Sequence, residues 1–114
     1  MMIAVTSQNF RTVTGHAGRA RRFLVYSAEP GAAPREVDRL DLPKELALHE
    51  FHGPEPHPLD RMDALITGGA GEHFKERLAA RGVRVQVTTE TDPVAAVEAY
   101  LNAGANSAAN APGS

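Results

Sequence analysis

The stretch from Asp63 to Thr88, DALITGGAGEHFKERLAARGVRVQVT, decides the fold. DALIT (63–67) is an apolar run of strand length, and GGAG (68–71) is a turn of small residues. From Glu72 to Arg81 the pattern becomes helical, with Phe74 and Leu78 four apart on one face. Gly82 is the expected helix stop. VRVQVT then alternates strictly and puts Val83, Val85 and Val87 on one side of a strand, in the core. Strand, helix and strand at this spacing form a βαβ unit, which requires parallel pairing and a right-handed crossover.

Downstream, TDP (91–93) opens a second helix, with Asp92 as N-cap and Pro93 in the first helical position. Val94, Val97, Tyr100 and Leu101 form its apolar stripe, and Gly104 is the expected end. Residues 104–114 carry no charge and no aromatic, so a disordered tail is expected after a single domain over residues 1–103. Upstream, MIAVT (2–6) and FLVYS (23–27) read as strands, and Glu36–Leu42 as an edge strand. PKELALHEFHG (43–53) fits a short helix or an extended piece, whereas the prolines of PEPHP (54–58) require loop. The short connections of the first half suit antiparallel pairing. An α/β fold follows, with a mixed central sheet and flanking helices.

The 114 residues are enough for one core, since folding at this size buries somewhat over ~60% of the chain's surface. The formal charge of −2 argues against a general nucleic-acid binder. The sequence holds no cysteine, which excludes disulfides and thiolate metal ligands. MMIAVTSQNF lacks a signal-peptide pattern, and no run approaches the roughly 20 apolar residues of a membrane span. A cytoplasmic protein without membrane contact is expected.

Three constellations could carry chemistry. GGAGEHF (68–74) lies between a strand and a helix, where backbone N–H groups attract anions. It departs from a dinucleotide fingerprint because Phe74 occupies the third glycine position, although Glu90 stands where a ribose acid would. It is also not a Walker motif. Two readings stay open: a turn that needs glycine backbone freedom, or an anion-contacting turn. Among the histidines, His16 and His57 fall in loops, His49 and His52 are three apart, and His73 sits one turn into a helix. HEFH has only two residues between its histidines and is not a zincin motif.

The third constellation is TVTGHAGRARRF (12–23). No acidic residue precedes Glu29, yet Arg11, Arg19, Arg21 and Arg22 do. As part of a strand, Arg19 and Arg21 would share a face beside the His16 loop, suited to an oxyanion or polyanion. The same charges could equally protect a sheet edge from aggregation. No G-x-S-x-G nucleophile and no triad of converging carboxylates is visible, so an enzyme is not expected.

MIAVTSQNFRTVTGHAGRARRFLVY (2–26) resembles the opening of the NifX-like proteins, the dinitrogenase iron–molybdenum cofactor biosynthesis family, with its H-x-G-R element at His16–Arg19. DALITGGAGEHFKERLAARGVRV resembles that family's second half, and the likeness covers roughly residues 2–102. The resemblance implies a ribonuclease H-like three-layer fold without the nuclease carboxylates. It implies a non-enzymatic role in nitrogen fixation: binding or carrying an iron–sulfur or iron–molybdenum cluster, or its precursor, alongside other cofactor-assembly proteins. The implied ligand face comprises His16, Gly18, Arg19 and Arg21 with Gly68, Gly69 and Gly71. His16, His52 and His57 are the candidate metal ligands. Many relatives carry a cysteine in or just after the H-x-G-R element, where this chain has Ala20. A small-anion or nucleotide-binding regulatory module is the alternative, and a ligand-free interaction module the third reading.

Overall fold

The computed structural model describes residues 1–29, 31–49, 51 and 55–110, and for 104–110 the backbone alone. Five strands form one sheet in the order β3-β2-β1-β4-β5: β1 (Met2–Thr6), β2 (Arg22–Ser27), β3 (Arg35–Asp41), β4 (Ala64–Thr67) and β5 (Arg84–Val87). β1, β2 and β3 pair antiparallel in turn, while β4 pairs parallel with both β1 and β5. The sheet is therefore mixed, as the two halves of the sequence demand.

Helix α1 (Glu72–Ala80) covers one face and helix α2 (Pro93–Asn110) the other. Strand alternation sorts the side chains. Ala4, Phe23, Val25 and Leu65 join Phe74 and Leu78 of α1. Ile3, Val5, Leu24 and Ile66 join Ala96, Val97 and Leu101 of α2. The two faces of β1, β2 and β4 are both buried, so these strands read as continuous apolar runs.

The caps behave as the sequence predicts at most ends. After α1, Gly82 has φ +83, Val83 N–H donates to Leu78 O and Gly82 N–H to Ala79 O, which is a Schellman stop. Before α2, the Asp92 carboxylate accepts from Val94 N–H at 3.2 Å. Gly104, however, does not end α2, which runs on to Asn110. An interior glycine costs about 1 kcal/mol against alanine, and the surrounding alanines are the best helix formers. Residues 111–114 of the expected tail lie outside the described residues. The stripe of α2 is also rotated: Ala96 is buried and Val94 is exposed. β5 is an edge strand, so Val85 and Val87 are only half-buried, and Val83 just before it is the core residue.

Between β3 and β4 the chain forms a strap with two short 3-10 turns, Lys44–Leu46 and Pro58–Arg61. Two arginines one helical turn apart hold it to α1. Arg77 donates to the carbonyls of Leu48 and Phe51. Arg81 donates to both carboxylate oxygens of Asp60, at 2.6 and 2.9 Å, and to Glu55 O at 2.7 Å. The Arg81 hydrogen bond holds the Asp60 carboxyl below its usual range against the opposing effect of desolvation, with His57 N–H adding to the lowering. A carboxyl lowered on folding stabilises above its unfolded pKa of about 4 and loses that contribution as pH falls through the folded value. Asp60→Asn is therefore expected to cost about 1 kcal/mol near neutral pH, a modest value set by partial exposure. Urea unfolding of both chains across pH checks this: the difference should close as pH falls below about 4.

Candidate functional site

β1 and β4 are adjacent and parallel, but the chain leaves their C-terminal ends in opposite directions. After β1 it turns back toward β2, and after β4 it enters α1 on the way to β5. Divergence at such a switch point opens a crevice where ligands of α/β sheets bind. Here the floor is a knot of buried hydroxyls. Thr6 and Thr67, both fully buried, are hydrogen-bonded at 2.9 Å, and Thr6 Oγ1 lies 2.5 Å from Thr14 O.

Glycines let the two loops lie against each other. Gly68 N–H donates to Thr14 O at 2.9 Å and Ala17 N–H to Gly69 O at 3.0 Å. A Cβ on Gly68 would stand 3.3 Å from Thr14 O and 3.4 Å from Gly15 N. The approach is backbone on backbone, and a side chain at Gly68 would push the loops apart.

Between these loops lies an open concavity of about 560 Å³. Its walls bring together His16, Gly18 and Arg19 from the first loop and Gly68, Gly69 and Gly71 from the second, about fifty residues apart in sequence. Among the described residues no carboxylate lines it. His16 is exposed and has φ +54, a left-handed conformation rare for a residue with a Cβ. Its carbonyl accepts from Arg19 N–H and Ala20 N–H, closing a turn whose Ala17 and Ala20 are buried over the core. The small residues of the H-A-G-R-A stretch thus face inward, leaving His16 and Arg19 outward. The Arg19 guanidinium has no hydrogen-bond or ion-pair partner among the described residues.

Arg21 does not join the concavity. Residues 17–20 form a turn and β2 begins only at Arg22, so strand alternation does not put Arg19 and Arg21 on one face. Arg21 is exposed and does not line the concavity, and Arg22 pairs with Asp41 at 3.5 Å. His57 is also elsewhere, and its surroundings run against the expectation of a metal ligand. It is 4% exposed; Nδ1 accepts from Leu59 N–H at 3.1 Å, and Nε2 therefore carries the proton donated to Leu46 O at 2.7 Å. Both ring nitrogens serve the strap. His52 lies outside the described residues. Glu90, where a ribose acid would stand, instead accepts from Thr91 and Asp92 N–H.

The wall also contains His49, which sequence reasoning considered only as a neighbour of His52. The strap brings it in, and the carbonyl of Gly18 accepts from both its backbone N–H at 2.7 Å and its Nδ1 at 2.8 Å. A carbonyl accepts and cannot donate, so Nδ1 bears a proton. Nothing local in ALHEFH signals this placement; it depends on the clamp by Arg77 and Arg81. Among the described residues no three His, Asp or Glu side chains converge on a metal-sized point. No helix among them is long and apolar enough to cross a membrane.

These features define a class: a small α/β domain whose sheet carries a cationic, imidazole-bearing cleft built by two glycine-rich loops at a strand switch point. Residues 1–103 match the family model described as dinitrogenase iron–molybdenum cofactor, and the chain belongs to that family. It is similar in fold to the crystal structure of PH0822, with 17% identity, TM-score 0.67, and coverage of 90% of this chain and 91% of that one. It is likewise similar to the NMR structure of a Thermotoga protein, TM1290, described provisionally as a NifB protein of the DUF35 family. That likeness has 21% identity, TM-score 0.56, and coverage of 89% and 87%. No curated protein matches the chain.

Proposed function

We propose that this protein binds or carries, without catalysing a reaction, an anionic iron–sulfur or iron–molybdenum cluster or its precursor, in exchange with other cofactor-assembly proteins. The observation that carries the reading is the meeting of His16, Arg19 and the Gly68–Gly71 turn around one concavity lined by no carboxylate among the described residues, in a chain of this family. A cluster bears negative charge, which Arg19 and the loop amides offset. Without thiols, the ligands to iron are imidazoles, and iron accepts them. His16 on the first loop and His49 on the strap are both exposed where they line the concavity, so a cluster held there is only partly enclosed and stays exchangeable. The strand order and the helices on both faces support a ribonuclease H-like reading of the fold, and β1 carries no carboxylate for nuclease chemistry.

Anaerobic titration with reconstituted iron–sulfur cluster, followed by visible absorption, tests this on the parent chain and His16→Ala. The expected result is stable cluster absorption by the parent and its loss in the variant. Absence of binding in both chains would overturn the reading.

One observation favours the alternative of a small-anion or nucleotide-binding module: the N-cap of α1, Gly71, lines the concavity and, having no side chain, gives the first turn of the helix no capping group. For this reading, phosphorylated ligands should raise the melting temperature of the parent chain but not of Gly69→Val.

A further inference from the structure

The cleft has a second, smaller chamber of about 260 Å³, lined by Gln8, Thr14, Gly15, His16, Arg19 and Ala20. It shares Gly15, His16 and Arg19 with the main concavity, so these three residues separate the two. We propose that this smaller chamber is a binding site for a small oxyanion, a phosphate or carboxylate group.

Among the described residues, the polar side chains around it can all donate hydrogen bonds, and none is a carboxylate. The Arg19 guanidinium and the Gln8 carboxamide have no partner among the described residues. Thr14 Oγ1 already accepts from Gln8 N–H at 3.2 Å, which leaves its own proton to be given elsewhere. The backbone N–H groups of Gly15 and His16 donate to no acceptor among the described residues. His16 is left-handed, the conformation that forms one half of the paired geometry in which successive amides make an anion-binding concavity. Arg22, itself paired with Asp41, donates to the Gln8 carbonyl at 3.0 Å and fixes the backbone that carries the Gln8 side chain. The pattern of donors with unused protons, positive charge and no acid selects a small oxyanion over a cation. The volume falls just below the ~300 Å³ at which pockets for drug-sized ligands begin.

The site itself stands apart from the cluster-holding reading, but one consequence rests on it. Because Arg19 borders both chambers, an oxyanion draws on the guanidinium that an anionic cargo also needs. Oxyanion binding then lowers cargo affinity, and cargo lowers oxyanion affinity by the same factor.

The test uses the full chain with no cluster present. Inorganic phosphate is titrated while backbone amide shifts are followed by NMR, with acetate and citrate in parallel to tell a phosphate from a carboxylate site. Saturable shifts are expected at Gln8, Thr14 and Gly15. Gln8→Ala should weaken binding several-fold and Arg19→Ala by about tenfold or more, as expected for loss of a charge-assisted contact. His73→Ala, on an exposed face of α1 outside both chambers, should titrate like the parent. Shifts that never saturate for any of the three anions would overturn the proposal. So would saturable shifts centred on Ala70 and Phe74, or a Gln8→Ala chain that binds as the parent does. None of these outcomes bears on whether a cluster binds.

Discussion

Replacing His16 by glycine should leave the protein as stable as the parent while lowering cluster affinity about a hundredfold or more. Two opposing effects act on stability. The left-handed backbone at His16, φ +54, costs a residue with a Cβ roughly 1–2 kcal/mol. Glycine removes that strain but brings about 0.5–1 kcal/mol of extra chain entropy to the unfolded state. The net change lies within about 1 kcal/mol and leans toward stabilisation. The side chain itself is exposed and has no hydrogen bond to other described residues, so the fold loses no contact with it. Binding is a different matter, because the imidazole is the proposed exchangeable ligand. Loss of groups that merely orient a metal ligand costs ten- to a hundredfold, and loss of the ligand should cost at least as much. Urea unfolding together with the anaerobic titration reads both quantities. A variant that unfolds more easily and still binds cluster normally would mean that the strain serves the fold and that His16 is not a ligand.

Gly68→Val is expected to do the reverse of His16→Gly and damage stability and binding together. The added Cβ would meet Thr14 O at 3.3 Å and Gly15 N at 3.4 Å, both backbone atoms, and the valine methyls extend further. Relief requires the first loop to move away, which strains the Gly68 N–H bond to Thr14 O and the buried hydroxyls of Thr6 and Thr67 beneath it. Overpacking of this kind costs about 1–3 kcal/mol. At roughly 4 °C or more of melting temperature per kcal/mol, the loss should be readily seen in a thermal scan. Gly69→Ala is the matched control. Its Cβ would approach no closer than 3.8 Å, to His16 N, so it should unfold near the parent temperature. Equal behaviour of the two variants would show that the close approach of the loops is not what holds the cleft together.

Most of the architecture is legible in short segments. DALIT, the glycine turn, the Phe74–Leu78 spacing and Gly82 specify a strand, a helix and a stop, and the observed β4, α1 and left-handed Gly82 follow them. Asp92-Pro93 likewise opens α2 where the capping rules put it. Local rules fail where composition outweighs one residue, as at Gly104 among alanines, and where a turn delays the start of a strand, as before Arg22. Arg19 and Arg21 look like strand neighbours only if the strand begins early. A turn at residues 17–20, pinned by two N–H bonds to His16 O, sends them apart.

The sequence by itself determined a mixed α/β sheet and marked two loops, one basic and one glycine-rich, as places where a ligand belongs, because caps, periodicity and glycine act over a few residues. Only the tertiary structure decided that β1 and β4 lie side by side, so that the two loops share one cleft. It also turned His57 inward as a strap contact and brought His49 to the cleft. Those outcomes depend on contacts between residues far apart in the chain, such as Arg77 with Leu48 and Gly68 with Thr14, and the distances that set them exist only once the sheet has formed.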